Sequence, residues 1–320
     1  MNNLHRELAP ISDAAWVQIE EETSRTIKRY LAGRRVVDVH GPAGTALSAV
    51  GTGHVSMIAA PGDGITAQQR GAKALVELRV PFELDRQMID DVERGANDSD
   101  WQPAKDAARK LAFAEDRAIF EGYAAAGIVG VRQGSSNPQK SLPADVRQYP
   151  EAFAQALSQL RLVGVNGPYS ILLGADAYTE LAETRDYGYP ILEHVKHLVE
   201  GKIIWAPAID GAFVVTTRGG DLDLHLGQDA SIGYLNHTDT TFASICRKRL
   251  PSSTSPLNPP RPPSPTHLDM HIAKPLTISR ISRSQTADSR AAKHVATTSE
   301  RKRGDGIFRP GGDQHEQRSQ

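Results

Sequence analysis

With 320 residues, 39% apolar side chains and no apolar run near the ~18 needed to cross a bilayer, the sequence reads as a soluble protein of one large or two ordinary domains. Its single cysteine, Cys246, excludes an internal disulfide or a thiolate metal cluster. The net charge of −1 hides a split, since 14 Lys/Arg face 7 Asp/Glu from Asn236 onward and 23 face 31 before it, and an acidic body argues against nucleic acid as the main partner.

The opening MNNLHRELAP has no basic stretch followed by an apolar core, so no secretory signal and a cytoplasmic location are expected. From Ser12 to Gly33, the residues Trp16, Ile19, Ile27, Tyr30 and Leu31 recur near helical spacing. Acidic residues fall early, Lys28 and Arg29 late, and Gly33 is a natural stop, which together predict an amphipathic helix. Residues 48–72 are rich in glycine and small side chains and could not fill a core of their own, so they predict an extended β arm. LVELRVPFEL then alternates from Leu75 to Leu84 as a strand with one apolar and one charged face.

The longest predicted helix runs from 101 to 126, with Pro103 in its first turn and Gly127 at its end. Ala104, Ala108, Leu111, Ile119 and Tyr123 share one stripe. At ~1.5 Å per residue it would span roughly 36 Å, more a spine than a helix tucked into a small core. Beyond it, helices at 145–162, 175–183 and 191–200 alternate with strands at 170–174, 202–206, 212–218 and 221–227, a compact α+β body. From residue 236 the chain holds 9 of its 20 prolines and shows no periodicity, which predicts disorder to residue 320.

Chemistry is hard to find. GPAGTAL and GTG have neither dinucleotide spacing nor a Gly-Lys-Ser/Thr ending, so no nucleotide cofactor is expected. Asp221, Asp223 and His225 alternate and could offer three ligands on one strand face. The same spacing suits a solvated face opposite Leu222, Leu224 and Leu226, which is the preferred reading. His194 and His197, three apart on a helix, are likewise read as exposed, and no serine sits in a Gly-x-Ser-x-Gly elbow. No catalytic residue, metal or cofactor is expected, and no enzyme activity.

The segments LHRELAPISDAAW, LAGRRVVDVHGPAG, ALVELRVPFELD, DDVERGANDSDW, LAFAEDRAIFEGY, LVGVNGPYSILLGADAY and TRGGDLDLHLGQDASIGY follow one another from Leu4 to Tyr234. In that order they resemble the encapsulin shell proteins, also labelled linocin or culture-filtrate-antigen proteins, and above all the actinobacterial members. The resemblance implies a tailed-phage major capsid fold of the Hong Kong 97 type. It would have a peripheral domain on the spine helix, an axial domain around 135–220 and an extended arm, with many copies closing into an icosahedral shell in the cytoplasm. It also implies cargo, captured through C-terminal peptides of enzymes such as dye-decolourising peroxidases or ferritin-like proteins. Carried over by position, the docking pocket would include Ile27, Val37, Asp38 and Ile232, and pores would be lined by Thr184, Arg185, Asp186, Tyr187, Gly188 and Tyr189. Family labels leave two other functions open: a secreted bacteriocin- or peptidase-type effector, recoverable outside the cell without a signal peptide, and a phage capsid subunit. Neither nucleic acid nor membrane is an expected partner.

One departure stands out. Related shell proteins follow SIGY with a last strand resembling TVRLYLQETLTFLL, where this chain has TTFASICRKRLPSS. Codons for VRLYLQETLT, read one base later, give FASICRKRL and then a proline codon. The tail is therefore expected to be a shifted reading frame that leaves the sheet one strand short and its neighbour a raw edge.

Overall fold

The computed structural model describes residues 3–251 and 276–280, all within one compact unit. Helix α1 (Asp13–Tyr30) is capped by Ser12, whose Oγ accepts the Ala15 N–H, and ends with Lys28 and Arg29 in its last turn, where cations suit the helix dipole. A tight turn leads to β1 (Asp38–His40). Strands β2 (Ala49–Ile58) and β3 (Ala67–Asp85) then form one long antiparallel hairpin. The end of the expected arm and the strand after it are thus one continuous 19-residue strand, because pairing with β2 holds Ala67–Ala74 extended through Gly71.

Helix α2 (Arg86–Glu93) was not foreseen; its eight residues start on Asp85, which accepts the Gln87 N–H. Helix α3 (Gln102–Phe120) is the spine, with Pro103 in its first turn and an Asp100 oxygen accepting the Gln102 N–H. It stops six residues before the expected end. Gly122 turns the chain at φ 81°, and a Cβ there would come within 2.8 Å of the Gly130 nitrogen, so the alanines at 124–126 form a short turn instead. Their helix propensity loses to that turn.

The next elements are α4 (Val131–Gly134), β4 (Lys140–Leu142), α5 (Tyr149–Leu162), β5 (Tyr169–Leu173), α6 (Ala175–Glu183), β6 (Arg185–Asp186) and β7 (Tyr189–Pro190). After them come α7 (Ile191–Lys196), β8 (Ile203–Trp205), β9 (Ala212–Thr216), β10 (Asp223–His225), β11 (Ser231–His237), β12 (Thr241–Pro251) and β13 (Leu276–Arg280).

Two sheets organise the body. One is antiparallel in the order β11-β12-β3-β2, and the other is mixed in the order β4-β13-β9-β5-β8. Helices α5, α6 and α7 cover one face of the mixed sheet with a core that includes Phe153, Leu157, Leu181 and Val195. Helix α3 spans two cores. Its first half packs Trp101, Ala104 and Leu111 with α1, α2 and the antiparallel sheet, while Ile119 and Phe120 join Phe213 and Val215 on the other face of the mixed sheet.

Two sequence readings need correction. Asp221 and Asp223 are buried, not solvated; Asp223 lies in β10, which pairs with β1 in parallel (Asp38↔Asp223, His40↔His225), and Asp221 lies just before it. Arg218 donates two bonds to Asp221 at 2.8 and 2.9 Å, and His40 Nε2 lies 2.5 Å from Asp223 Oδ1. Residues 236–251 are not disordered, since β11 runs to His237 and β12 pairs along its whole length with β3 and, from Phe242 to Arg247, with β11. No raw edge is left there, because a ladder uses backbone groups that any side chain supplies. FASICRKRL still buries Phe242, Ser244, Cys246, Lys248 and Leu250 on one phase, and Ile245 and Arg247 of the other phase are buried too. The expected disorder at 252–275 and 281–320 lies outside the described residues.

Candidate functional site

Between α1 and the start of β11 lies a groove of ≈ 500 Å³. Its floor is apolar, made by Ile27 of α1 and Leu31 at its C-cap and by Ala230 and Ile232 from β11 and the turn before it. Lys28 and Arg35 stand at the rim, and Arg34 and Asp229 form the back wall.

The back wall is held from behind by charge. Two adjacent carboxylates of α3, Glu115 and Asp116, are fully buried. Asp116 accepts the N–H of Ala32 at 2.8 Å and of Gly33 at 2.9 Å, which fixes the turn after α1. Gly33 packs closely on α3, since a Cβ there would meet Ile119 Cδ1 at 2.6 Å and Asp116 Oδ1 at 3.0 Å. The turn delivers Arg34, whose guanidinium donates to Glu115 at 2.7 Å and to Asp229 at 2.6 Å. Lys248 of β12, itself buried, completes the cluster by pairing with Glu115 and reaching Asp229 at 3.4 Å.

Burial, and after it the charge of Arg34, push the Lys248 ammonium well below its ordinary value, an effect the Glu115 carboxylate opposes. Burial also works to raise Asp229, but the Arg34 bonds outweigh it and hold that carboxyl below its usual range. At Asp116, burial wins over the two N–H donors and pushes the pKa up to about 6 from 3.8. Because the folded value is the higher one, stability from this group is fully present below about 3.8 and is lost as pH rises through about 6. Between pH 7 and pH 5 the parent should therefore gain about 1 kcal/mol relative to Asp116→Asn. Urea midpoints of both proteins at the two pH values check this, and parallel midpoints would refute it.

The structure brings two of the four expected docking residues together. Ile27 and Ile232 share the groove floor, whereas Val37 and Asp38 line a separate small cleft beside Gly219, with Arg35 on both. Glu115, Asp116, Arg34, Asp229 and Lys248 were missed. One signal was available: position 115 falls on the apolar stripe between Leu111 and Ile119, where a carboxylate needs a partner.

Of the expected pore residues, Thr184 is the C-cap of α6 and Arg185–Tyr189 lie in the β6–β7 hairpin, with positive φ at Tyr187 and Gly188 as a two-residue turn requires. The Tyr187 side chain stands fully in solvent. His194 packs edge-on against Tyr189 with ring centroids 4.7 Å apart, and His197 Nδ1 lies 2.6 Å from the Glu193 carbonyl oxygen. No described helix is long and apolar enough to cross a membrane.

Residues 1–245 match the family described as encapsulating protein for peroxidase. A type 1 encapsulin shell protein of Rhodococcus erythropolis is 64% identical over 237 residues, covering 74% of this chain and 90% of that protein. The type 1 encapsulin shell protein of Mycobacterium tuberculosis is 62% identical over 241 residues, covering 75% of this chain and 91% of its own length. Among solved structures, the virus-like particle of Pyrococcus furiosus superposes with a TM-score of 0.54 at 14% identity, over 73% of this chain and 93% of that one.

Proposed function

Since this chain belongs to the type 1 encapsulin shell proteins, with a tailed-phage capsid fold and the role of a structural nanocompartment subunit, we propose that its α1–β11 groove captures cargo on the inner face of the shell. The observation that carries this is the groove itself. It has an apolar floor wide enough for a short extended segment and a back wall whose charges are already paired, so an apolar peptide loses little by entering. The cargo is a peroxidase of the dye-decolourising type or a ferritin-like protein, presented by a C-terminal peptide. Support for a peroxidase comes from the description of the family. Val37 and Asp38 belong to this surface only through Arg35, which borders both clefts. The exposed β6–β7 hairpin lines a pore, and the chain itself is not catalytic and acts in the cytoplasm.

Ile27→Asp places a carboxylate on the groove floor, where it loses hydration without gaining a partner. Cargo co-purifying with shells should fall by at least about tenfold, since one such charge costs well over 1.4 kcal/mol. Equal cargo on mutant and parent shells would reject the groove. Failure of the shells themselves would show that Ile27 serves the core instead.

We further propose that the tail is a shifted reading frame from about Phe242. The family match stops at residue 245, inside β12, and the Rhodococcus and Mycobacterium relatives match over 90% and 91% of their own lengths. Where a family-like VRLYLQETL would send two leucines inward, this chain has Ser244 and Cys246. The DNA of the gene decides it: no nearby frame encoding the missing strand would end the idea.

A further inference from the structure

The chain enters the β2–β3 hairpin through the short β1–β10 ribbon. Asp38 N–H donates to the Leu222 carbonyl and Leu226 N–H to the His40 carbonyl, each at 2.7 Å, and Ala43 and Gly44 continue the ladder onto Leu226 and Gly227. Whatever keeps this ribbon closed therefore ties the entering end of the hairpin to the body. The returning strand, β3, is secured separately by β12.

Parallel pairing in register puts Asp38, His40, Asp223 and His225 on one face of the ribbon and Val39 and Leu224 on the other. The two imidazoles are stacked, with ring centroids 4.7 Å apart and planes inclined by 22°. Asp223, whose side chain is only 9% exposed, serves one of them, since its Oδ1 lies 2.5 Å from His40 Nε2. Its Oδ2 is buried without a hydrogen-bond partner, and among the described residues the His225 ring makes no hydrogen bond either. The stack thus holds two bases against one carboxylate.

The charges around it are already engaged. Asp38 accepts the Gly220 N–H at 2.5 Å, and Asp221 holds Arg218 at 2.8 Å. Arg35 borders the cleft beside Asp38 and adds positive charge on that side. From β12, Leu250 shares a core with Leu222, Leu224 and Leu226, while Lys248 is held by Glu115 and Arg249, next to the chain at Thr45, by Glu77.

We propose that His40 and His225 form an acid-sensitive latch on the base of the β2–β3 hairpin. With one ring charged, the stack and the Asp223 bond keep β1 on β10. With both charged, two stacked imidazoliums repel across a single carboxylate and the ribbon opens. Burial, and after it the charge of His40, hold the His225 imidazole below its ordinary value, against the pull of Asp223. Because the folded value is the lower one, the stability this group contributes is fully present above about 6.5 and is lost as pH falls through the folded value. The latch belongs to the single chain and needs neither cargo nor shell.

Amide exchange of the full chain tests it, read on peptides covering 38–44 and 222–227 and corrected for the intrinsic effect of pH. Between about pH 7.5 and pH 5, exchange there should rise at least about fivefold more than in α3 and α5, which lie outside the ribbon. His225→Phe keeps a ring in the stack but cannot take a proton, so the extra rise should vanish. His40→Phe, which removes the opposing charge, should reduce it. Circular dichroism checks that each variant is folded, and His225→Gln removes the proton by a second route if the ring exchange disturbs packing. An acid response of equal size in the parent and in a folded His225 variant overturns the latch. So does a response spread evenly over the whole body, or none in the ribbon.

Discussion

Replacing Glu115 by Ala should cost about 3–5 kcal/mol, the range for removing one partner of a buried ion pair. This is the largest single-site effect expected in the body. Glu115 has no exposure and receives Lys248 from β12 and Arg34 from the turn after α1, so its loss leaves the buried ammonium and the Arg34 guanidinium to share the one carboxylate of Asp229. A loss of that size is a large share of the ~5–15 kcal/mol that holds a domain together. Lys248 titrates below its unfolded value of 10.5, so its contribution is lost as pH falls from above that value toward the folded one. The deficit of Glu115→Ala should accordingly be smaller at alkaline than at neutral pH. Adding Lys248→Met should recover most of the loss, because an apolar side chain of similar reach fills the site without a charge. Denaturation midpoints of the two single variants and the double variant measure the coupling. If the two single losses simply add, the cluster is not one unit.

Closed particles should disappear when the tip of the β2–β3 hairpin is removed, while the body keeps its fold. Joining Gly51 to Ala72 through Asn-Gly in place of residues 52–71 uses an existing register pair and a turn suited to two-residue hairpins. The deleted part exposes Val55, Met57, Ile58 and Ile65, and its strands pair only with each other. A flat apolar hairpin of this kind needs a neighbour to cover it, and a stable contact must bury more than ~1,000 Å². Particle yield by sedimentation and electron microscopy should drop by at least about a hundredfold, since such an interface is lost from every subunit. A shell of unchanged yield would show that the hairpin is not an assembly element.

Most elements with a strong period were legible in the sequence. The helix at 175–183 has the bounds expected of it, and α1 and α5 differ only at their ends. Elements whose pattern depends on distant partners were harder to read. Strand β1 is three residues long and exists because β10 lies beside it, and β12 has a serine, a cysteine and a lysine where a core strand is expected to be apolar. The candidate groove was half legible. Ile27 and Ile232 could be placed by resemblance, whereas the charge cluster behind them joins four separate elements, a convergence that only the fold produces.

The position of β12 also bears on when the body can fold. It lies between β11 and β3 and is the last strand of its sheet to be synthesised, pairing Phe242 with Leu84 across most of the body. Strand β1 likewise waits for β10, with Asp38 opposite Asp223. Pairings so distant in sequence close slowly, and until they do the long β3 strand has only β2 as a partner. A chain still on the ribosome therefore presents an open sheet edge that attracts holdases and other unfinished chains. The sheet that bears the hairpin is therefore complete only once β12 has been synthesised.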